Sequence, residues 1–202
     1  MTTSTENLQR LAKAYNFAAQ KHRKQRRKDT EKTPYINHPI DVVNILTETG
    51  VTDTDTLIAG VLHDTIEDTD TTPEEITKEF GEHVTKYVLE CSDDKSLDKV
   101  ARKRLQIEHA LHISDAAKLV KLADKYSNCR DLFLNPPSSW TVQEIQGYAY
   151  WAYAVCQNLY GVNNALDEKL RKLFKGFGIS DLTGEDLNGF LEMYYKIIDK
   201  SN

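Results

Sequence analysis

The segment LHDTIEDT at residues 62–69 places one histidine and three carboxylates where packing alone does not require them. His63 and Asp64 lie beside the apolar residues of a helix predicted over about residues 56–68, and burying both there costs several kcal/mol without a compensating charge. A solvated acidic helix end explains Glu67 and Asp68, but it does not explain the His-Asp pair. A divalent metal supplies the missing charge, so the segment predicts half of a metal site.

Two further ligands must come from elsewhere in the chain, and His38 and Asp124 are the candidates. Taken alone, a histidine before a proline is more often a helix cap or a core residue. An aspartate in a lysine-rich helix is more often part of a surface ion pair. The order His, His-Asp, Asp on separate predicted helices is more specific than any single residue, and two imidazoles with two carboxylates fit Mn²⁺, Fe²⁺ or Zn²⁺.

Such a site supports hydrolysis of a phosphorylated substrate. Four protein ligands on a metal that prefers six leave positions for water and for a phosphate oxygen, and the metal lowers the pKa of bound water. Glu67 and Asp68 follow the predicted ligands by one helical turn, where they are placed to orient or deprotonate the attacking water. We therefore expect these two carboxylates to be the catalytic pair.

Helices must position these residues, because apolar residues recur at i, i+3 and i+4 along most of the chain and strand patterns are scarce. The fold class predicted is all-α, one compact multi-helix domain over residues 1–175 with an extra C-terminal helix within residues 176–202. That helix carries an amphipathic stripe, so it either packs on the same domain or mediates self-association. The predicted helices lie at about 5–22, 39–50, 56–68, 73–81, 82–92, 97–111, 114–132, 141–158, 160–174 and 183–199.

Composition limits the class of protein. The chain has 202 residues, 40% of them hydrophobic and 28% charged, as expected for a globular domain. No signal peptide, no apolar run of ~20 residues and no CxxC spacing is present, so we expect a soluble, cytoplasmic protein without a membrane partner. The net charge of −5 argues against binding a nucleic acid polymer. The basic run KHRKQRRK at residues 21–28 is either a solvated helix end, a localisation signal or a phosphate-binding patch.

Five stretches together resemble the HD superfamily and, more closely, the hydrolase domain of RelA/SpoT proteins, including its short animal branch. The stretches are residues 21–28 (KHRKQRRK), 33–39 (TPYINHP), 62–69 (LHDTIEDT), 93–95 (DDK) and 121–132 (KLADKYSNCRDL). The resemblance implies removal of the 3′-pyrophosphate of (p)ppGpp, giving GDP or GTP and pyrophosphate, with one Mn²⁺ per chain and Zn²⁺ or Fe²⁺ as alternatives. Its synthetase domain has no counterpart in this chain, so we expect breakdown of the alarmone without synthesis.

The resemblance also implies a role for individual residues. It assigns the metal ligands to His38, His63, Asp64 and Asp124, and activation of water to Glu67 and Asp68. It implies contacts with the substrate for Arg26, Arg27, Lys28, Lys99, Asn128 and Tyr148, although Tyr148 also suits a core position at helical spacing. The resemblance therefore favours the phosphate-binding interpretation of the basic run.

Three functions remain open on the sequence. The first is the manganese-dependent 3′-pyrophosphohydrolase just described. The second keeps the pocket but removes the 2′-phosphate of NADPH. The third is a non-catalytic nucleotide sensor, which the complete set of ligands and carboxylates disfavours. The partner in each case is a small phosphorylated nucleotide, and the chain is expected to be a monomer or a weak homodimer.

Overall fold

A computed structural model describes residues 3–180, 182 and 184–199, and these residues form helices with no β-strand. The all-α prediction is confirmed. Within the same residues no helix is long and apolar enough to cross a membrane. The helices are α1 (Ser4–Lys21), α2 (Asn37–Glu48), α3 (Thr54–Leu62), α4 (Thr65–Asp68), α5 (Pro73–Phe80), α6 (Glu82–Cys91), α7 (Lys99–His109), α8 (Asp115–Leu134), α9 (Val142–Gln157), α10 (Asn164–Gly176) and α11 (Gly184–Asp199).

Short polar side chains begin many of these helices. Thr3 and Thr141 each form a reciprocal capping box with the glutamate three residues later, which satisfies two backbone N–H groups that would otherwise lack a partner. Thr72 accepts from the backbone N–H of Glu75 and is followed by proline at the first helical position. Asp53 caps α3, because its carboxylate accepts from the backbone N–H of Thr56.

The predicted continuous helix over residues 56–68 is wrong at one point, since the chain turns at His63 and Asp64 between α3 and α4. His63 Nδ1 lies 2.9 Å from the Gly60 carbonyl oxygen, and the Thr65 hydroxyl donates to the Leu62 carbonyl over 2.6 Å. These side chains occupy carbonyls that helical N–H groups would otherwise use, so the helix is interrupted. The interruption brings the imidazole of His63 and the carboxylate of Asp64 together.

The helix α3 lies at the centre of the fold, and every residue from Thr56 to Leu62 is buried. It packs against α1, α2, α6 and α8, while α2 also packs against α8. Gly60 allows the close approach of α2, because a Cβ atom there would lie 3.1 Å from the Leu46 side chain. As a result the start of α2, the turn after α3 and the middle of α8 meet at one place.

The C-terminal helix α11 packs on α9 and α7. Its buried residues are Leu191, Tyr194, Tyr195 and Ile198. The Phe190 ring stacks on Tyr150 of α9, with 4.2 Å between ring centroids. The division of the chain into a domain over 1–175 and an appendage over 176–202 stays a prediction, and residues 181, 183 and 200–202 of that segment lie outside the described part.

Candidate active site

The four residues predicted as metal ligands lie together where α2, α3 and α8 meet. Asp124 Oδ1 lies 3.1 Å from His38 Nε2 and 3.7 Å from His63 Nε2. Asp64 Oδ2 lies 3.0 Å from His63 Nε2 and 3.7 Å from His38 Nε2. Ligand atoms of the two histidines and Asp124 all fall within 4.8 Å of one another. Two nitrogens and two oxygens therefore surround a common point.

The contacts of His63 favour a cation at that point. Its Nδ1 faces the carbonyl oxygen of Gly60, which can only accept, so Nδ1 carries a proton. Its Nε2 is buried without a hydrogen-bond partner, although carboxylate oxygens of Asp64 and Asp124 lie nearby. A neutral imidazole would present a lone pair to these oxygens, and only a proton or a metal ion between them makes the arrangement favourable. The donor set therefore fits a divalent metal of the Mn²⁺, Fe²⁺ or Zn²⁺ type.

His38 is oriented by a hydrogen-bond chain that leads away from the cleft. Its Nδ1 lies 3.2 Å from Ser127 Oγ, and this hydroxyl donates to Asp41 Oδ2 over 2.6 Å. The same carboxylate oxygen accepts from Arg130 over 2.7 Å. Because the hydroxyl has one proton and gives it to Asp41, it accepts from His38 Nδ1. The lone pair of Nε2 then points towards the ligand cluster, as metal-binding histidines require.

The two carboxylates of the cluster are ionised. Burial opposes the charge on Asp64, but the neighbouring His63 outweighs burial and holds the pKa of this carboxyl well below its usual range. Burial likewise opposes the charge on Asp124, and the Lys125 ammonium 2.8 Å away, with the two histidines, lowers its pKa. Tyr35 donates its hydroxyl to Asp64, and burial followed by the charge of Asp64 keeps the pKa of this phenol far above its ordinary value.

Glu67 lies beside the cluster and is partly buried among charged side chains. Its carboxylate accepts from the backbone N–H of Asp93 over 3.2 Å and lies 3.8 Å from the Arg102 guanidinium. Burial, and then the charges of Asp93 and Asp64, raise the pKa of Glu67 to about 7. A carboxylate that gains and loses a proton near neutral pH is suited to general-base catalysis.

Asp68 is held in a different way. Its two carboxylate oxygens accept from Lys95 over 2.6 Å and from the Gln25 amide over 3.0 Å. Gln25 is in turn bonded to the buried ring of His22, with 2.6 Å between Oε1 and Nδ1. Asp68 is therefore fixed in place by charged and polar partners, whereas Glu67 is tuned towards proton exchange.

Two cavities open next to the cluster. One, of about 360 Å³, is lined by His63, Asp64, Glu67 and Asp124 and by several cations of α7 and α8. The other, of about 440 Å³, lies on the side of the basic run. Every residue predicted to contact substrate lines at least one of them: Arg26, Arg27, Lys28, Lys99, Asn128 and Tyr148. Lys28, Asn128 and Tyr148 line both, so the two cavities adjoin.

The arginines of the basic run differ in how they are held. Arg27 donates to Asn128 Oδ1 and forms an ion pair of 2.7 Å with Asp131 across the cavity. Arg26 is exposed and donates to the carbonyls of Arg23 and Gln25 on its own segment. Exposed cations of this run without a carboxylate at ion-pair distance, within the described residues, are Arg23, Lys24, Arg26 and Lys28.

Known proteins resemble this chain in sequence and in fold. The HD-domain profile matches residues 14–150. The human protein guanosine-3′,5′-bis(diphosphate) 3′-pyrophosphohydrolase MESH1 is 54% identical over 171 residues, which are 84% of this chain and 96% of the human protein. The MESH1 protein of Drosophila melanogaster is 50% identical over 164 residues, 81% of this chain and 92% of that protein. A solved structure of a metazoan SpoT orthologue, described as hydrolysing ppGpp, superposes with a TM-score of 0.83 at 45% identity, covering 89% of this chain and 99% of that one.

This chain belongs to the HD-domain family. Among HD-domain proteins it groups with the MESH1 proteins, because the similarity takes in nearly their whole length. The resemblance inferred from the sequence motifs is therefore confirmed.

Several residues of this HD-domain site were not predicted from the sequence. They are Tyr35, Asp41, Arg102, Lys103, Ser127, Trp140 and Trp151. Tyr35 and Ser127 lie close in sequence to predicted ligands, and Arg102 and Lys103 follow Lys99 on α7, so proximity was an available signal. Asp41 also lies three residues from a predicted ligand, His38, whereas Trp140 has no such neighbour and only the packing of the helices shows that it matters.

Proposed function

We propose that this chain is a metal-dependent phosphohydrolase that removes the 3′-pyrophosphate of (p)ppGpp. The observation that carries the proposal is the cluster of His38, His63, Asp64 and Asp124 beside a cavity that is also lined by cations of α7 and α8. The names of the MESH1 relatives, which describe this reaction, support the choice of substrate.

The four clustered residues are proposed to hold one divalent metal, with Mn²⁺ as the first choice and Zn²⁺ or Fe²⁺ as the other candidates. When bound, the metal supplies Lewis-acid activation of water and of a phosphate oxygen. Ser127 and Asp41 hold His38 with Nε2 towards the metal position, and the Gly60 carbonyl does the same for His63. Tyr35 keeps Asp64 oriented by donating its hydroxyl.

Glu67 is proposed as the general base. It takes a proton from the attacking water, whose oxygen bonds to the phosphorus attached to the ribose 3′-oxygen. The bond between that phosphorus and the 3′-oxygen breaks, and the 3′-oxygen takes up a proton from solvent and leaves as a hydroxyl. Asp68, fixed by Lys95 and Gln25, orients the water alongside Glu67.

Substrate binding is assigned to the cations and aromatic rings of the two cavities. Lys99 is assigned to a phosphate and Asn128 to the ribose, as the family resemblance implies. Arg27 and Lys28 contact the base and phosphates, with Arg26 at the outer edge, and Tyr148 lines the pocket between them.

The test is to incubate metal-stripped protein with ppGpp, with and without Mn²⁺, and to follow phosphorus NMR. We expect pyrophosphate and GDP only when Mn²⁺ is present, and little product from Glu67→Gln under the same conditions. NADPH is assayed in parallel: release of phosphate from NADPH alone would move the proposal to the 2′-phosphatase. Tight binding of ppGpp without turnover by any metal-loaded form would favour the nucleotide sensor.

A further inference from the structure

The Lys103 ammonium group lies in a cage of aromatic rings in the wall of the cavity that adjoins the ligand cluster. Its Nζ lies 3.3 Å from the ring centroid of Trp151, 4.9 Å from that of Tyr148 and 5.6 Å from that of Tyr194. These distances fall in the range in which the faces of aromatic rings stabilise a cation. The rings therefore hold the ammonium group in one place.

Lys103 has no carboxylate at ion-pair distance in the described part of the chain. Each of its two neighbours on α7 faces a carboxylate: Arg102 faces Glu67, and Arg104 forms a 2.7 Å ion pair with Glu192. Burial, and then the nearby Lys125 ammonium, hold the pKa of Lys103 well below its ordinary value. An anion entering the cavity would stabilise the charged form of this side chain.

The third ring of the cage comes from α11. Tyr194 is 3% exposed, and its ring lies directly over Gly147 of α9. A Cβ atom at position 147 would lie 2.3 Å from a Tyr194 ring carbon, closer than real contacts allow. Gly147 immediately precedes Tyr148, so the glycine that admits Tyr194 lies next to a second ring of the same cage.

The helix that supplies Tyr194 lies outside the part of the chain that the HD-domain profile describes. The profile match ends at residue 150, whereas α11 begins at Gly184. The alignment with human MESH1 takes in 96% of that protein but 84% of this chain. The cage thus joins Lys103 and Tyr148, within the matched residues, to Trp151 one residue beyond them and to Tyr194 of α11.

We propose that Tyr194 of α11 is a positioning residue for substrate recognition, closing the aromatic cage that directs the Lys103 ammonium group towards a substrate phosphate. This inference rests on the proposed function, which places a phosphorylated nucleotide in the cavity. Lys103 is the group that contacts the phosphate, and Tyr194 acts through it. The C-terminal helix then contributes to the affinity for substrate as well as to stability.

Steady-state kinetics with ppGpp and Mn²⁺ test this inference. Removing the charge in Lys103→Met should raise KM about 10-fold or more, the usual effect of losing a charge-assisted hydrogen bond. Tyr194→Leu should raise KM by about three- to ten-fold, since one ring face is lost. Tyr194→Phe keeps the ring and should retain the KM of the unmodified protein. If Tyr194 acts through Lys103, the double variant Lys103→Met/Tyr194→Leu has the same KM as Lys103→Met.

The matched control is Phe190→Leu, because this ring also anchors α11 but stacks on Tyr150 instead of facing Lys103. It should lower the melting temperature and leave KM unchanged. Effects of Lys103→Met and Tyr194→Leu that simply multiply, or an equal rise in KM for Phe190→Leu, would overturn the inference.

A second readout separates this inference from the proposed function. Calorimetric binding of inorganic pyrophosphate to the metal-free protein should weaken in Lys103→Met and Tyr194→Leu and stay unchanged in Tyr194→Phe and Phe190→Leu. Equal affinity in all four variants would contradict the role of the cage. Lack of ppGpp turnover by the unmodified protein would instead contradict the proposed function, and the pyrophosphate measurement would still decide the role of Tyr194.

Discussion

Ser127 donates its only hydroxyl proton to Asp41, so its oxygen accepts a hydrogen bond from His38 Nδ1 on the side away from the cleft. The direction of these two bonds selects the tautomer of His38 in which Nε2 is free to bind a metal. Ser127 and Asp41 are not predicted metal ligands, but both orient the ligand His38.

Substituting Ser127 or Asp41 should weaken metal binding, although neither substitution removes a metal ligand. We expect Ser127→Ala and Asp41→Asn each to lower the affinity for Mn²⁺ by about 10- to 100-fold, the usual effect of losing a partner of a metal-bound histidine. Isothermal titration with Mn²⁺ measures this affinity. The control is Asn44→Ala, because Asn44 lies on α2 with Asp41 but is exposed. If Ser127→Ala bound Mn²⁺ as tightly as this control, the assigned tautomer of His38 would be wrong.

Ligand and base substitutions should separate metal binding from turnover. His63→Ala and Asp64→Ala should lose metal and activity together, since each removes a donor atom from the cluster. Glu67→Ala should retain metal while kcat falls by roughly 10²–10⁴-fold, the range for loss of acid–base catalysis. Metal content by atomic emission, measured with kcat on the same samples, checks both statements. Full activity in Glu67→Ala would show that another group activates the water.

The raised pKa of Glu67 predicts how the stability of the metal-free protein depends on pH. The folded state keeps a proton on Glu67 up to a pKa of about 7, whereas an unfolded glutamate loses it near its ordinary value, about 4.3. Between these two values the folded state binds more protons than the unfolded state, so the free energy of unfolding falls as pH rises through this window. The loss is on the order of 3 kcal/mol once Glu67 is ionised.

Glu67→Gln should remove this dependence. The variant is expected to match the unmodified protein near pH 4 and to exceed its stability above pH 7, because an uncharged amide replaces a buried carboxylate. Urea unfolding of the two metal-free proteins at both pH values measures the difference. A variant less stable than the unmodified protein at pH 8 would show that Arg102 and Lys95 stabilise the ionised carboxylate.

Arg27 and Arg26 should contribute unequally to substrate binding. Arg27→Ala should raise KM for ppGpp by about 10-fold or more with little change in kcat, because its guanidinium lies across the cavity and away from the reacting phosphorus. Arg26→Ala should have a smaller effect, since Arg26 is exposed and bonded to its own segment. Initial-rate measurements over a range of ppGpp concentrations compare them, and equal effects would mean that the basic run acts only through its total charge.

The predictable parts of the site share one property: their residues are polar or charged, whereas the residues around them in the sequence are apolar. An adjacent His63 and Asp64 among apolar residues require a compensating charge wherever the helix packs, and the helix boundaries follow from capping residues and apolar spacing. The turn between α3 and α4 was missed, because helical periodicity continues through it and only the side-chain bonds of His63 and Thr65 interrupt the helix.

The residues that were missed depend on contacts between distant segments. Asp41 reads as an exposed polar position on an amphipathic helix, and nothing local shows that α8 brings Ser127 and Arg130 against it. Lys103 reads as one cation in a charged helix, and its cage exists only because α9 and α11 supply the rings. Such pairings depend on helix packing, which periodicity does not determine.

The exposed cations of the basic run have a consequence for the rate at which substrate arrives. The chain as a whole carries a charge of −5 and repels anions at long range, while the uncompensated Arg26 and Lys28, which line the cavity on the side of the basic run, attract them there. Ions in solution screen such attraction over about 10 Å at 0.1 M ionic strength, so association of the proposed substrate should slow as salt rises, while the chemical step at the ligand cluster should not. Capture of the nucleotide, rather than its cleavage, then follows the ionic strength of the surroundings.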